Sequence, residues 1–136
     1  MDLVLDANIL FAILIKEGKN EDLVFNDNLH IFVPEFIFNE FEKYKELLLG
    51  KTDRTKKEFD KLLDILRKRI KTISNKETEK YLNKAQEISP DKNDADYFAL
   101  ALNLNCAIWS NDKKLKEQNV VEIYSTKELI KFFEEV

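Results

Sequence analysis

Histidine and cysteine are nearly absent from this 136-residue sequence, which holds one of each, His30 and Cys106. A single cysteine excludes an internal disulfide and suits a reducing compartment. One His with one Cys also excludes the usual nitrogen and sulfur zinc sites, so any metal would have to be held by oxygen. Glycine and proline are scarce too, two of each. With no repeat, linker or low-complexity stretch, and many Lys, Glu and Leu, that scarcity argues for a mostly helical chain. No apolar run approaches the roughly eighteen residues that a membrane span needs. Asp2 directly after Met1 leaves no basic region for a secretory signal, so a cytoplasmic location is expected. The length suits one domain, residues 1–136, and is too short for two ordinary ones.

What is present is charge, unevenly spread. The net charge of −4 divides into −7 for residues 1–42, +7 for residues 43–76 and −4 for the remainder. A basic middle segment is therefore carried by an acidic body. Arg67-Lys68-Arg69 and its neighbours read either as a solvated helix face or as a surface that tracks phosphates. Which applies depends on whether an acidic metal site lies beside it.

Short apolar runs interrupt the helical pattern and read as buried strands. Leu3-Val4-Leu5 is the first, followed by a helix from Asn8 to about Lys16. Ile31-Phe32-Val33 is the second, closed by Pro34, which suits the first turn of the next helix better than a central strand. That helix is expected from Glu35 to about Leu49, with Phe36, Ile37, Phe41, Tyr44, Leu47 and Leu48 at helical spacing and Gly50 as its stop. An amphipathic helix from Arg54 to Arg69 carries Phe59, Leu62, Leu63, Ile65 and Leu66. Lys71 to Ile73 is a short strand. Ser74 with Glu77 has the form of a capping box, opening a helix to about Ile88. Asn93 opens a buried helix, Asp94 to Leu104. Cys106 to Trp109 is a strand, Asp112 to Gln118 a short helix and Val120 to Tyr124 a last strand. Ser125 or Thr126 caps a closing helix to Glu135. Strands alternating with helices imply an α/β fold, a three-layer α/β/α sandwich around a parallel sheet of about five strands.

In such folds sites form beyond the carboxyl ends of strands. Asp6 directly follows the first strand, and Asp112 follows Trp109 across Ser110-Asn111. Either can instead be a helix N-cap or first-turn acid. Glu40 has Phe36, Ile37 and Tyr44 one turn away, so it projects from an apolar stripe, where a carboxylate is costly unless a cation receives it. Its alternative is an ion pair with Lys43. Asp94 begins the most buried helix, with Tyr97 and Phe98 one turn on. Asp91 or Asp96 can equally serve the helix dipole there, and Asp96 points about 200° around the helix from Asp94. Asp94 is therefore read as the inward carboxylate and Asp96 as secondary. Four acids in one pocket raise one another's pKa unless a divalent cation neutralises them, and carboxylates without His or Cys suit Mg²⁺ or Mn²⁺.

These residues, in this order, resemble the PIN-domain family. Leu3-Val4-Leu5-Asp6-Ala7-Asn8-Ile9-Leu10 is similar to its first motif: a hydrophobic strand, a metal-binding Asp, then Asn two positions on. Glu40 in Phe36-Ile37-Phe38-Asn39-Glu40-Phe41 matches the helical acid. Asp94-Ala95-Asp96-Tyr97-Phe98-Ala99-Leu100-Ala101 is similar to the third motif. Ile108-Trp109-Ser110-Asn111-Asp112 is similar to the last, with Ser110 where Ser or Thr often precedes the final Asp by two. The resemblance spans essentially the whole chain. It departs from the pattern at the third motif, where Asp91, Asp94 and Asp96 stand in place of a lone acid.

The resemblance implies a metal-dependent endoribonuclease acting on single-stranded RNA. Asp6, Asp94 and Asp112 would bind one or two Mg²⁺ or Mn²⁺ ions, and Glu40 would complete the site. Asn8 and Ser110 would support the ligands. Lys43, Arg54, Arg67 and Arg69 are candidates to hold the RNA backbone. Free-standing PIN proteins of this size include the VapC toxin ribonucleases, so a homodimer and an antitoxin partner are implied. Two other readings compete. One is a PIN-fold module that binds RNA or protein without cutting. The other is a receiver-like or phosphatase-like enzyme with Asp6 as nucleophile, which fits poorly: Asp2 precedes the first strand, and Lys113 follows Asp112 immediately.

Overall fold

The computed structural model describes residues 1–134. Five strands, β1 (Asp2–Leu5), β2 (His30–Pro34), β3 (Lys71–Ile73), β4 (Ala107–Trp109) and β5 (Ile123–Tyr124), form one sheet in the order β3-β2-β1-β4-β5. Every neighbouring pair is parallel. Leu3, Val4 and Leu5 are all fully buried, which is why β1 lacks polar alternation: it is central and covered on both faces.

Between β1 and β2 lie α1 (Ala7–Ile15) and α2 (Lys19–Val24), and between β2 and β3 lie α3 (Ile37–Lys51) and α4 (Lys56–Arg69). The return from β3 to β4 carries α5 (Asn75–Thr78), α6 (Leu82–Ile88) and α7 (Ala95–Leu104); α8 (Thr126–Glu134) follows β5. The first two crossovers step one way along the sheet and the third steps back. Right-handed connections therefore place α1–α4 on one face and α5–α7 on the other. Packing agrees: α7 lies against β1, β2 and β4 with α6 upon it, while α1 packs with α2, α3 and α4. The result is the α/β sandwich that the alternation of elements predicts.

Several boundaries differ from the sequence reading, each for a local reason. Pro34 is the last residue of β2, paired with Ile73, where a missing N–H ends the ladder. Gly50 does not stop α3, which runs on to Lys51. The helix expected from Ser74 to Ile88 is broken by a 3₁₀ turn at Glu79–Tyr81. No capping box forms there, because the Ser74 hydroxyl accepts from the Lys76 amide. Such a box does form at Thr55 and Glu58, opening α4. At α8, Ser125 rather than Thr126 accepts from the Glu128 amide. The helix end expected at Glu135 falls outside the described residues. The helix α2 is an element that periodicity did not disclose. Asn105 takes the left-handed conformation, φ 51°, that ends α7. Tyr44, Leu47 and Ile65, expected on core-facing stripes, are instead exposed.

Candidate active site

The strand order reverses between β1 and β4: the chain leaves β1 toward one face of the sheet and enters β4 from the other. Loops diverge there and open a crevice at the carboxyl ends. The Asp6 amide donates to the Trp109 carbonyl at 3.1 Å, which locks the two strand ends together. Asp6 and Ser110, one past each strand, are buried polar residues, 7% and 1% exposed.

Their hydrogen bonds form a relay. The Ser110 hydroxyl donates to Asp6 Oδ2 at 2.6 Å and accepts from the Asp112 amide at 3.1 Å. One hydroxyl thus fixes the first carboxylate and the backbone that carries the last. Asp6 Oδ1 accepts from the Asn8 amide and Asp112 Oδ1 from the Lys114 amide, so both acids also cap the turns they open. Capping and site geometry are therefore not alternatives here, since one oxygen caps while the carboxylate stays at the crevice. Asn8 reaches Asp6 through its backbone, and its side chain is exposed.

The run of three acids before and within α7 separates by task. Asp91 accepts from the Asn93 amide at 2.9 Å and caps a 3₁₀ turn at Lys92–Asp94. Asp96 lines a shallow cleft with Asn75, Lys76, Thr78, Glu79 and Leu82, on the α5 side. Asp94 stands at the start of α7 without a capping bond. Burial, then the charges of Asp6, Asp91 and Asp112, push its pKa up to about 6, with Lys114 opposing. Like charges collected in a half-desolvated crevice produce that shift, and a bound cation would reverse it.

Tyr97, one turn along α7, was not singled out from sequence as a site residue. Its hydroxyl accepts from the Ala7 amide at 3.1 Å, tying α7 to the first turn of α1, and its ring meets Phe36 edge-on at 5.7 Å. Its pKa is raised, first by burial and then by the charges of Asp6, Asp94 and Glu40. The carboxylates of β1, α3 and α7 are therefore within electrostatic reach of one phenol. The only sequence signal for it was a buried Tyr three residues after Asp94.

Glu40 pairs with Lys43 at 3.1 Å, which realises the structural alternative for that acid, while its charge still reaches the Tyr97 hydroxyl. The donors are all oxygen, which fits a hard cation such as Mg²⁺ or Mn²⁺. Among the described residues, however, no three acidic side chains form a closed ligand set.

Residues 4–131 match the family description of the PIN domain. The chain belongs to the PIN-domain family. Its fold is similar to that in the crystal structure of VapBC2 from Rickettsia felis bound to a DNA fragment from their promoter. That match has a TM-score of 0.66 and 20% identity, and covers 92% of this chain and 98% of the other. A search of curated proteins finds no match.

Within this PIN fold the basic candidates divide. Arg54 is only 13% exposed and is taken up internally, donating to the carbonyls of Ile13 and Leu14 and pairing with Glu21 at 3.4 Å. Arg69 donates to the carbonyls of Val24, Asn26 and Leu29 at 2.6–2.8 Å. Arg54, in the α3–α4 connection, and Arg69, at the end of α4, both tie that hairpin to the first crossover, so their donors are turned inward rather than offered to RNA. The buried carbonyls at the ends of α1 and α2 need donors, and a five-donor guanidinium supplies several at once. Lys43 and Arg67 are exposed. Arg67 lies over the Phe38 ring at 4.5 Å and pairs loosely with Glu42.

Proposed function

We propose that this chain is a single-domain, metal-dependent endoribonuclease that hydrolyses single-stranded RNA. The observation that carries the reading is Asp94: an uncapped carboxylate whose pKa is pushed up by burial and then by the charges of Asp6, Asp91 and Asp112. Folding gains nothing from that crowding, whereas a cation-binding site needs it.

Asp6, Asp94 and Asp112 would hold one or two Mg²⁺ or Mn²⁺ ions. When bound, the ion acidifies a water and offsets charge on the phosphate. Ser110 holds Asp6 in one orientation and fixes the Asp112 backbone, so two ligands keep their spacing without reorganisation. Tyr97 holds the start of α1 against α7 and keeps Asp6 and Asp94 across one crevice. Glu40, leaving Lys43, would accept the proton of the attacking water. The water oxygen bonds to phosphorus, the P–O ester bond breaks, and the departing oxygen takes a proton from solvent. Lys43 and Arg67 are the exposed cations near α3 that remain to meet the RNA backbone.

The VapBC2 likeness supports a role as the toxin of a toxin–antitoxin pair; an antitoxin partner, a homodimer as the working form and the cytoplasm as its place are proposed with that role. A second reading, a PIN-fold module that binds RNA or protein without cutting, is favoured by the Glu40–Lys43 pair and by the open ligand set. Cleavage of a labelled single-stranded RNA, in Mn²⁺ and in EDTA, separates the two. Metal-dependent cutting that Asp6→Asn and Asp94→Asn abolish supports the nuclease. No cutting, with equal binding in EDTA, establishes the module.

A further inference from the structure

An aromatic ring stands exposed on α3, one turn beyond Glu40. Tyr44 is 45% exposed on α3, and its other side rests on Phe11 of α1, ring centroids 5.9 Å apart and tilted by 60°. Phe11 is itself packed against the core. Tyr44 is therefore a fixed ring with one free side, backed by a second ring on a helix that packs against its own.

Its position follows from helix geometry. Glu40, Lys43, Tyr44, Leu47 and Lys51 fall on one stripe of α3 at three- and four-residue spacing. Tyr44 lies one turn from Glu40, about 6 Å along the axis. Phe11 lies a turn along α1 from Asp6 and Asn8. The ring pair therefore stands where α1 packs on α3, one turn beyond Glu40 on one helix and one turn beyond Asn8 on the other. Lys43 and Lys51, both exposed, stand on either side of the ring along the stripe. A free aromatic side between two cations, one turn from a phosphodiester-cleaving site, matches a nucleotide in both its parts: base on ring, phosphate on ammonium.

Resting on the nuclease reading, we infer that Tyr44, backed by Phe11, is the stacking platform for an unpaired base next to the scissile phosphate. It thereby restricts the site to single-stranded nucleic acid. A base inside a duplex has both faces covered by its neighbours and cannot lie on the ring. Exposed Lys51, joined by Lys43 once Glu40 releases it, favours this occupant over an apolar protein segment.

The test uses an RNA with 2-aminopurine at successive positions, in linear form and closed into a hairpin stem, with wild type, Tyr44→Ala and Tyr44→Phe. Wild type quenches the fluorophore at one position of the linear strand and at none in the stem. Tyr44→Ala loses the quench and raises KM about tenfold, with kcat within about twofold, because a stacked base contributes to binding rather than to bond breaking. Tyr44→Phe keeps both. Alanine is a good helix former at this exposed site, and far-ultraviolet circular dichroism checks that α3 persists. Equal quench and KM in wild type and Tyr44→Ala overturn the inference. So does a Tyr44→Ala protein that loses a protein contact or its oligomeric state while binding RNA unchanged. If wild type quenches but cuts nothing, the platform stands and the nuclease reading alone fails.

Discussion

The carboxyl ends of β1 and β4 and the basic arm of α3–α4 carry opposite charge and treat it in opposite ways. In the crevice, Asp94 is half-buried within reach of the charges of Asp6, Asp91 and Asp112, with Lys114 opposing them, and is left without a capping bond. In the arm, the sequence has a surplus of cations, yet its two best-placed arginines are absorbed by backbone carbonyls and acids. Asp94 is crowded by charges that its own turn does not need, and the arginines sit where folding does need them. A cluster of charge in a sequence therefore says little until each charge's partners are known, and an unrelieved cluster says most about function.

The largest effect that tests this contrast is expected at Asp6. Asp6→Asn should lower RNA cleavage at least ~100-fold, the upper end of the loss when even a supporting group around a metal is removed. Thermal unfolding should stay close to wild type, since the amide oxygen can still accept from Asn8 while the NH2 donates to the Ser110 hydroxyl in place of accepting from it. Residual cleavage above a tenth of wild type would remove Asp6 from the chemistry. Arg69→Ala should do the reverse. With three carbonyls losing a charged donor, urea unfolding should show a loss of about 3 kcal/mol. The salt dependence of RNA binding by the protein still folded should not change. A shallower salt slope would instead return Arg69 to the RNA surface.

Ser110→Ala probes the relay within the crevice and should reduce cleavage about tenfold, with Ser110→Thr retaining most of it. Equal loss in both variants would point to packing beside Trp109 rather than to the hydroxyl. The smallest effect concerns pH. The folded protein holds the Asp94 proton more tightly than the unfolded chain does, because its pKa is raised from near 4 to about 6. Its contribution to stability is thus fully present below about pH 4 and is lost as pH rises through about 6. Without metal, Asp94→Asn should be more stable than wild type at pH 7 by about 1 kcal/mol, allowing for its partial exposure, and no more stable at pH 4. Mn²⁺ should narrow the gap at pH 7 by stabilising wild type. A gap independent of pH would mean that Asp94 does not feel the other acids.

Much of this was legible in the chain before folding. The unalternating Leu3-Val4-Leu5 and the alternation of strands with helices foretold a sheet covered on both faces. Asp6 and Asp112 declared themselves by standing just past strands. The missed parts were those that local pattern cannot hold. Three-residue spacing at Ser74 and Glu77 looks the same whether or not the side chains meet, and here the hydroxyl took the Lys76 amide instead. Tyr44, Leu47 and Ile65 satisfy a helical stripe yet face outward, because neighbouring elements, not periodicity, decide where a stripe ends.

By itself the sequence determined the α/β alternation, the all-oxygen donor set and the order of the acids. It did so because period, residue type and position after a strand are local properties. Only the tertiary structure decided that Asp94 is half-buried within reach of the charges of Asp6, Asp91 and Asp112. It also decided that Arg54 and Arg69 are taken up by the first crossover, that Tyr97 stands beside the crevice and that Tyr44 stays exposed. Those outcomes depend on which distant carbonyl, ring or carboxylate each side chain meets, and the meetings between α1, α3 and α7 exist only once the sheet has brought them together.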